Sequence, residues 1–186
     1  MALDYRIVWT MLGGNLGGAL LTVAYFRFLH PAVLKHASLF SVVELGYFVA
    51  AFAALILAGR TVAARWSRRL RSERGPLPSG AKGESLRRRA LLVPAYLSTL
   101  TFTGWVAAAV IWGVVWPLLT HSFTIAGAVR QSFGLIFVSG TIVSVYIFLA
   151  TERIWRERIP QLFPDGDLAA AKAPRLQVRT RMVILF

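Results

Sequence analysis

Ile7-Val8-Trp9-Thr10-Met11-Leu12-Gly13-Gly14-Asn15-Leu16-Gly17-Gly18-Ala19-Leu20-Leu21-Thr22-Val23-Ala24-Tyr25-Phe26 contains no charged side chain. About 20 largely apolar residues in a helix cross roughly 30 Å of hydrocarbon, so this stretch has the length and chemistry of one membrane span. It is too long for the apolar part of a secretory signal and has no convincing small-residue cleavage pattern, so it is expected to stay as an anchor. Hydrophobic residues make up 56% of the 186-residue chain, and the mean hydropathy of +0.60 extends the same reading to the whole molecule.

Working outward, residues 37–59 carry only Glu44 and predict a second span. Residues 90–129 hold no formal charge, which is enough for a third span and a turn, and Pro117 is expected to end that helix just after Trp116. Residues 131–151 predict a fourth. Arg179-Thr180-Arg181 then leads into Met182-Val183-Ile184-Leu185-Phe186, expected to open a fifth helix at the front of a larger protein. The fold class is therefore an all-α integral membrane protein with four transmembrane helices plus the start of a fifth. Residues 1–151 form the transmembrane domain with a basic cytoplasmic loop at 60–89. Residues 152–181 form an amphipathic juxtamembrane connector, and 182–186 the start of the truncated fifth helix.

The net charge of +13 avoids the apolar blocks. One side of the bundle collects eighteen basic residues (Arg6, ten in 60–89 and seven in 153–181), against Arg27, Lys35 and Arg130 on the other. Basic residues stay on the cytoplasmic side of an inner membrane, which places the N-terminus in the cytoplasm. The same pattern makes anionic lipid headgroups the expected partner of the basic loop and removes the need for nucleic acid. With no cysteine in the chain, disulfides, thiolate chemistry and Cys-bound metals are excluded.

Several residues go beyond simple span composition. Gly13, Gly14, Gly17 and Gly18 form two overlapping small-xxx-small pairs, suited to close helix contact inside the bundle or to a homodimer seam. Asn15 lies among them with an amide that must seek a partner. Glu44 within a span needs neutralising, by an intramembrane ion pair with Arg27 or Arg130 or by a proton. His30, His36 and His121 fall near the outer face, as interfacial imidazoles or as a metal or proton sensor. Trp105, Trp112 and Trp116, at steps of seven and four, share a helix face, for packing and anchoring or for a flat hydrophobic ligand. No metal set, cofactor motif or catalytic residue is read.

Beyond the fourth span, Trp155, Ile159 and Leu162 recur at helical spacing between charges, as in a helix lying at the headgroup boundary, with a break at Pro160. Asp165-Gly166-Asp167 makes a turn, and Asp167 caps the short run after it.

The segment Ala150-Thr151-Glu152-Arg153-Ile154-Trp155-Arg156, then Pro160-Gln161-Leu162-Phe163-Pro164-Asp165-Gly166-Asp167-Leu168, then Arg175-Leu176-Gln177-Val178-Arg179-Thr180-Arg181, resembles the membrane input region of bacterial class III adenylate/guanylate cyclases. That architecture has six spans, a HAMP relay and a C-terminal catalytic domain, and related regions occur on sensor histidine kinases. The resemblance implies a sensory input region, with Trp155, Arg175, Arg179 and Arg181 as candidate relay residues toward C-terminal signalling domains that are missing here. No catalytic residue of that family falls in this chain. The alternatives are an input domain of a histidine kinase, or a small four-span transporter or accessory protein, for which one acid and one asparagine make a poor polar pathway.

Overall fold

The computed structural model describes the backbone of residues 3–29, 37–72, 81–157 and 160, and the side chains of 5–29, 46–62, 64–65, 83–85, 88–157 and 160. Among the described residues all regular structure is helical. The helices are α1 (Leu3–Leu29), α2 (Ala37–Ser72), α3 (Ala81–Leu91), α4 (Val93–Leu119) and α5 (Ile125–Arg156). Tyr5–Leu29 of α1, all of α4 and all of α5 are long and apolar enough to cross a membrane, with mean hydropathies of 1.5, 1.7 and 2.2. This is a membrane protein. The second expected span falls within α2, whose described apolar stretch, Gly46–Val62, is shorter than these three.

Prolines and their surroundings set the breaks. Pro94 lacks an N–H and its ring would strike the carbonyl of residue 90, so the helix resets at Leu92 and starts again as α4. Pro117 was expected to stop α4 and does not. The turn before it, Ile111–Val115, is widened into a π-helix in which the Trp116 N–H reaches back to the Ile111 carbonyl. The ladder is already displaced where the ring enters, and the helix runs on to Leu119. It stops there, with His121, two residues on, in the left-handed region (φ 53°). The His121 N–H meets the Leu118 carbonyl at 3.3 Å and the Ser122 N–H meets Pro117 O at 2.9 Å, the two bonds of a Schellman stop. Thr124 then caps α5, its Oγ1 accepting the Gly127 N–H at 3.0 Å. The last helix thus opens at Ile125, six residues earlier than expected.

Helices α1, α4 and α5 form the packed centre. Its buried side chains include Ile7, Met11, Leu97, Trp105, Trp112, Leu135, Val143, Ile147 and Trp155. Lipid tails are as apolar as these groups, so close fit and hydrogen bonds must hold the helices together, with little help from water exclusion. A second π stretch, Phe133–Thr141, lies in α5 against α4. Helix α2 lies along α1 and meets α4 only sparsely.

Candidate functional site

Asn15 is the centre of interest. It lies at mid-length in α1, 2% exposed, in a span without charge. Its Nδ2 donates to the Met11 carbonyl at 2.8 Å, one turn back, and its Oδ1 accepts the Trp105 indole N–H at 3.2 Å. The amide has two donors and two acceptor lone pairs, so these bonds use half of its capacity. Beside it a cavity of about 270 Å³ opens between α1, α2 and α4. The α4 wall is one helical face, Leu100, Thr103, Gly104, Ala107 and Ala108, next to Trp105; α2 supplies Tyr47, Phe48 and Phe52 with Ala51, Ala54 and Leu55. The void has a simple origin. Phe48 and Trp105, with ring centroids 6.1 Å apart, hold α2 and α4 at aromatic spacing, while the alanines and Gly104 between them are too short to close the gap.

The four glycines of α1 divide into two pairs. A Cβ on Gly14 would lie 3.0 Å from Tyr146 Cδ1 and 3.2 Å from Ile147 Cγ1. One on Gly18 would overlap Val143 Cγ2 and lie 2.7 Å from Trp105 Cζ2. These two positions let α1 close on α5 and α4. Gly13 and Gly17 have nothing within 4 Å of a Cβ and point away from the bundle. One turn beyond Gly18, the Thr22 hydroxyl donates to the Gly18 carbonyl at 3.0 Å. It also lies 2.7 Å from Ser139 Oγ, which leaves Ser139 as donor across the α1–α5 seam.

The three tryptophans of α4 differ in burial. Trp105 and Trp112 are buried, at 3% and 2% exposure, whereas Trp116 is half-buried beside Trp112 at 5.6 Å between ring centroids. The Glu44 side chain, His30 and His36 lie outside the described residues. Arg27 and Arg130 are exposed, and His121 belongs to the stop of α4. Among the described residues no three His, Asp, Glu or Cys groups converge as metal ligands.

The far end of the bundle is closed by charge. Arg6 Nη2 donates to Glu157 Oε1 at 2.9 Å, and Nη1 meets Oε2, a two-pronged fork between residues 151 positions apart. It links the start of α1 to the end of α5, with both side chains partly exposed. Trp155, expected at the headgroup boundary, is instead 2% exposed in the same cluster as Ile7, Ala90 and Val93. Its helix stays in the bundle through Arg156, so its apolar face meets protein. Arg175, Arg179 and Arg181 lie outside the described residues. The fork and the Asn15–Trp105 bond escape a reading of the sequence. Only the buried amide in an uncharged span gave a signal, and it named no partner.

No family model matches the chain, and neither the curated proteins nor the solved structures contain a match to it.

Proposed function

We propose that this chain is the membrane-anchoring, sensory input region of a signalling protein of the class III adenylate/guanylate cyclase type, feeding a HAMP relay and catalytic domain downstream. In this reading four spans sit in the inner membrane with the N-terminus, residues 60–89 and the segment after Thr151 in the cytoplasm, next to anionic headgroups. Two copies act together. The observation that carries it is the Arg6–Glu157 fork. It joins the first helix to the point where the chain leaves the last one, so a shift within the bundle is passed directly to the connector. The buried hydroxyls support it over transport. Thr101 and Thr151 each bond a carbonyl of their own helix, four residues back, as structural hydroxyls do.

The test joins the chain to a HAMP–cyclase and reads cyclic nucleotide formation in membranes. Arg6→Gln and Glu157→Gln are expected to change output in the same direction, with the thermal midpoint of the bundle unchanged. Equal output from all three proteins sinks the proposal, as does cyclic product made from ATP or GTP by the purified chain alone. Orientation is read separately with single cysteines and an impermeant thiol reagent on intact cells. Ser122→Cys is expected to label and Ser79→Cys to stay protected.

A further inference from the structure

We propose that the first part of α5, Ile125–Ser132, turns against the bundle by taking up one surplus residue held in the π stretch that follows it, with Tyr25 as the latch. The surplus shows in how α5 is matched to α1. The two helices run antiparallel, so that Gly14 meets Ile147, Gly18 meets Val143, Thr22 meets Ser139 and Tyr25 meets Gly134. Along α1 these contacts advance by four, four and three residues, and along α5 by four, four and five. Five residues of α-helix turn about 500°, which would carry Gly134 about 140° off the shared face. In a π-helix the ladder runs to the fifth residue, and Gly134 stays in line with Ser139. The Thr141 hydroxyl follows the same wide turn, donating to the Ile136 carbonyl five residues back at 3.0 Å. A run of nine residues, Phe133–Thr141, is long for a form that mostly occupies single turns.

The turning segment is lightly held. No side chain in residues 114–133 is buried, and residues 120–124, outside the helices, give slack. Tyr25 is the main tie. A Cβ on Gly134 would lie 2.5 Å from Tyr25 Cδ1, so the ring rests against bare backbone, and its hydroxyl donates to the Arg130 carbonyl at 3.4 Å. A second contact, where a Cβ on Gly113 would lie 3.2 Å from Ser132 Oγ, is given up on turning. Were the stretch α-helical, Leu135, four residues back from Ser139, would take the place of Gly134, and its side chain has no room beside the ring. The two arrangements exclude one another, as a two-state element requires. On release, Ile125–Ser132 turns by about 100° and moves about 1.5 Å along the axis, while the contacts from Ser139 to Glu157 stay in place.

The chain has no cysteine, so spin labels go on Leu20→Cys and Val129→Cys, both exposed positions, in purified protein in phosphatidylcholine nanodiscs. Pulsed electron resonance then reads the distance between them. The latched chain is expected to give mainly one distance, and Tyr25→Ala to add a second, displaced by up to about 8 Å, the chord of that turn at the helix surface. Should Tyr25→Ala fail to fold, Gly134→Ala, whose Cβ pushes the ring away, is read in the same way. Deleting Phe137 removes the surplus residue and makes the step from Ser139 to Gly134 four. It is expected to return Tyr25→Ala to one distance and, in the otherwise native chain, to leave the thermal midpoint unchanged. Deleting Ile142, also exposed but between Val143 and Ser139, is expected to lower that midpoint. One unshifted distance in Tyr25→Ala and Gly134→Ala overturns the proposal. So does a spread of distances that deletion of Phe137 leaves broad, which means local unfolding, or a loss of midpoint as large for Phe137 as for Ile142. The joint goes beyond the input-region reading and is measured without any output domain. Its failure leaves that reading standing, and a silent chimera leaves the joint standing.

Discussion

The two sides of α4 are built from similar residues and pack in opposite ways. Toward α1 and α5, Gly18, Gly14 and Gly140 admit neighbouring side chains so closely that an added Cβ would press on them. Toward α2, Gly104 and Ala107 face Ala51 and Ala54 across an open cavity, and a Cβ on Gly104 would meet only Leu55, at 3.6 Å. Small residues therefore do not by themselves draw helices together in lipid. They allow contact where the neighbouring large side chains fit into them, and they leave a void where the large side chains meet each other first. On the tight side Trp105 enters the notch at Gly18. On the open side Phe48 stands against the same indole and keeps the helices apart.

The strongest way to break this contrast is to add bulk at matched positions of α1. Gly18→Ala is expected to cost about 1–3 kcal/mol by overpacking against Val143 and Trp105. Gly13→Ala and Gly17→Ala meet nothing and are expected to gain roughly 0.5–1 kcal/mol of helix stability instead. Chemical denaturation in detergent micelles gives both signs in one series, and a loss at Gly13 as large as at Gly18 would show that the two faces are not distinct.

A double-mutant cycle of Asn15→Leu and Trp105→Phe gives the next largest effect. Each single change removes one end of the 3.2 Å bond, and the coupling is expected at about 0.5–1.5 kcal/mol, the range for hydrogen bonds between membrane helices. Additive losses would mean that Asn15 and Trp105 act only through packing. The smallest effect is expected on the open side. Ala54→Leu adds contacts in the cavity without displacing a neighbour, for a gain of about 0.5 kcal/mol. A clear loss there would mean that α2 and α4 are already in tight contact.

Particular residues show how much of the molecule was legible. Apolar length and the absence of charge located α1, α4 and α5 because a bilayer imposes those two requirements directly. The glycines announced close contact, but residues at i, i+1, i+4 and i+5 present two equally small faces, and only the partner helix decides which turns inward. The steps of seven and four among Trp105, Trp112 and Trp116 assume 3.6 residues per turn. The π stretch at Ile111–Val115 changes that spacing, yet Trp116 still packs on Trp112, at 5.6 Å between ring centroids, and is only half-buried at the rim of the cluster. Pro117 misled for the same reason. The fork had no local signal, since Arg6 and Glu157 each look like one more charge at a membrane boundary.

The fork also has a consequence in time. Of the described helices α1 is synthesised first and its close neighbour α5 last, with Glu157 coming 151 residues after Arg6. At about 5–20 residues per second, the notch at Gly14 of α1 waits roughly 7–26 s for Tyr146 of α5, while Trp105 of α4 reaches Gly18 sooner. Through that interval α2 is its earliest neighbour, and the Asn15 amide has no indole to accept from until α4 arrives. The bundle is closed from its end, and a ribosome that stalls before Glu157 leaves the first helix waiting.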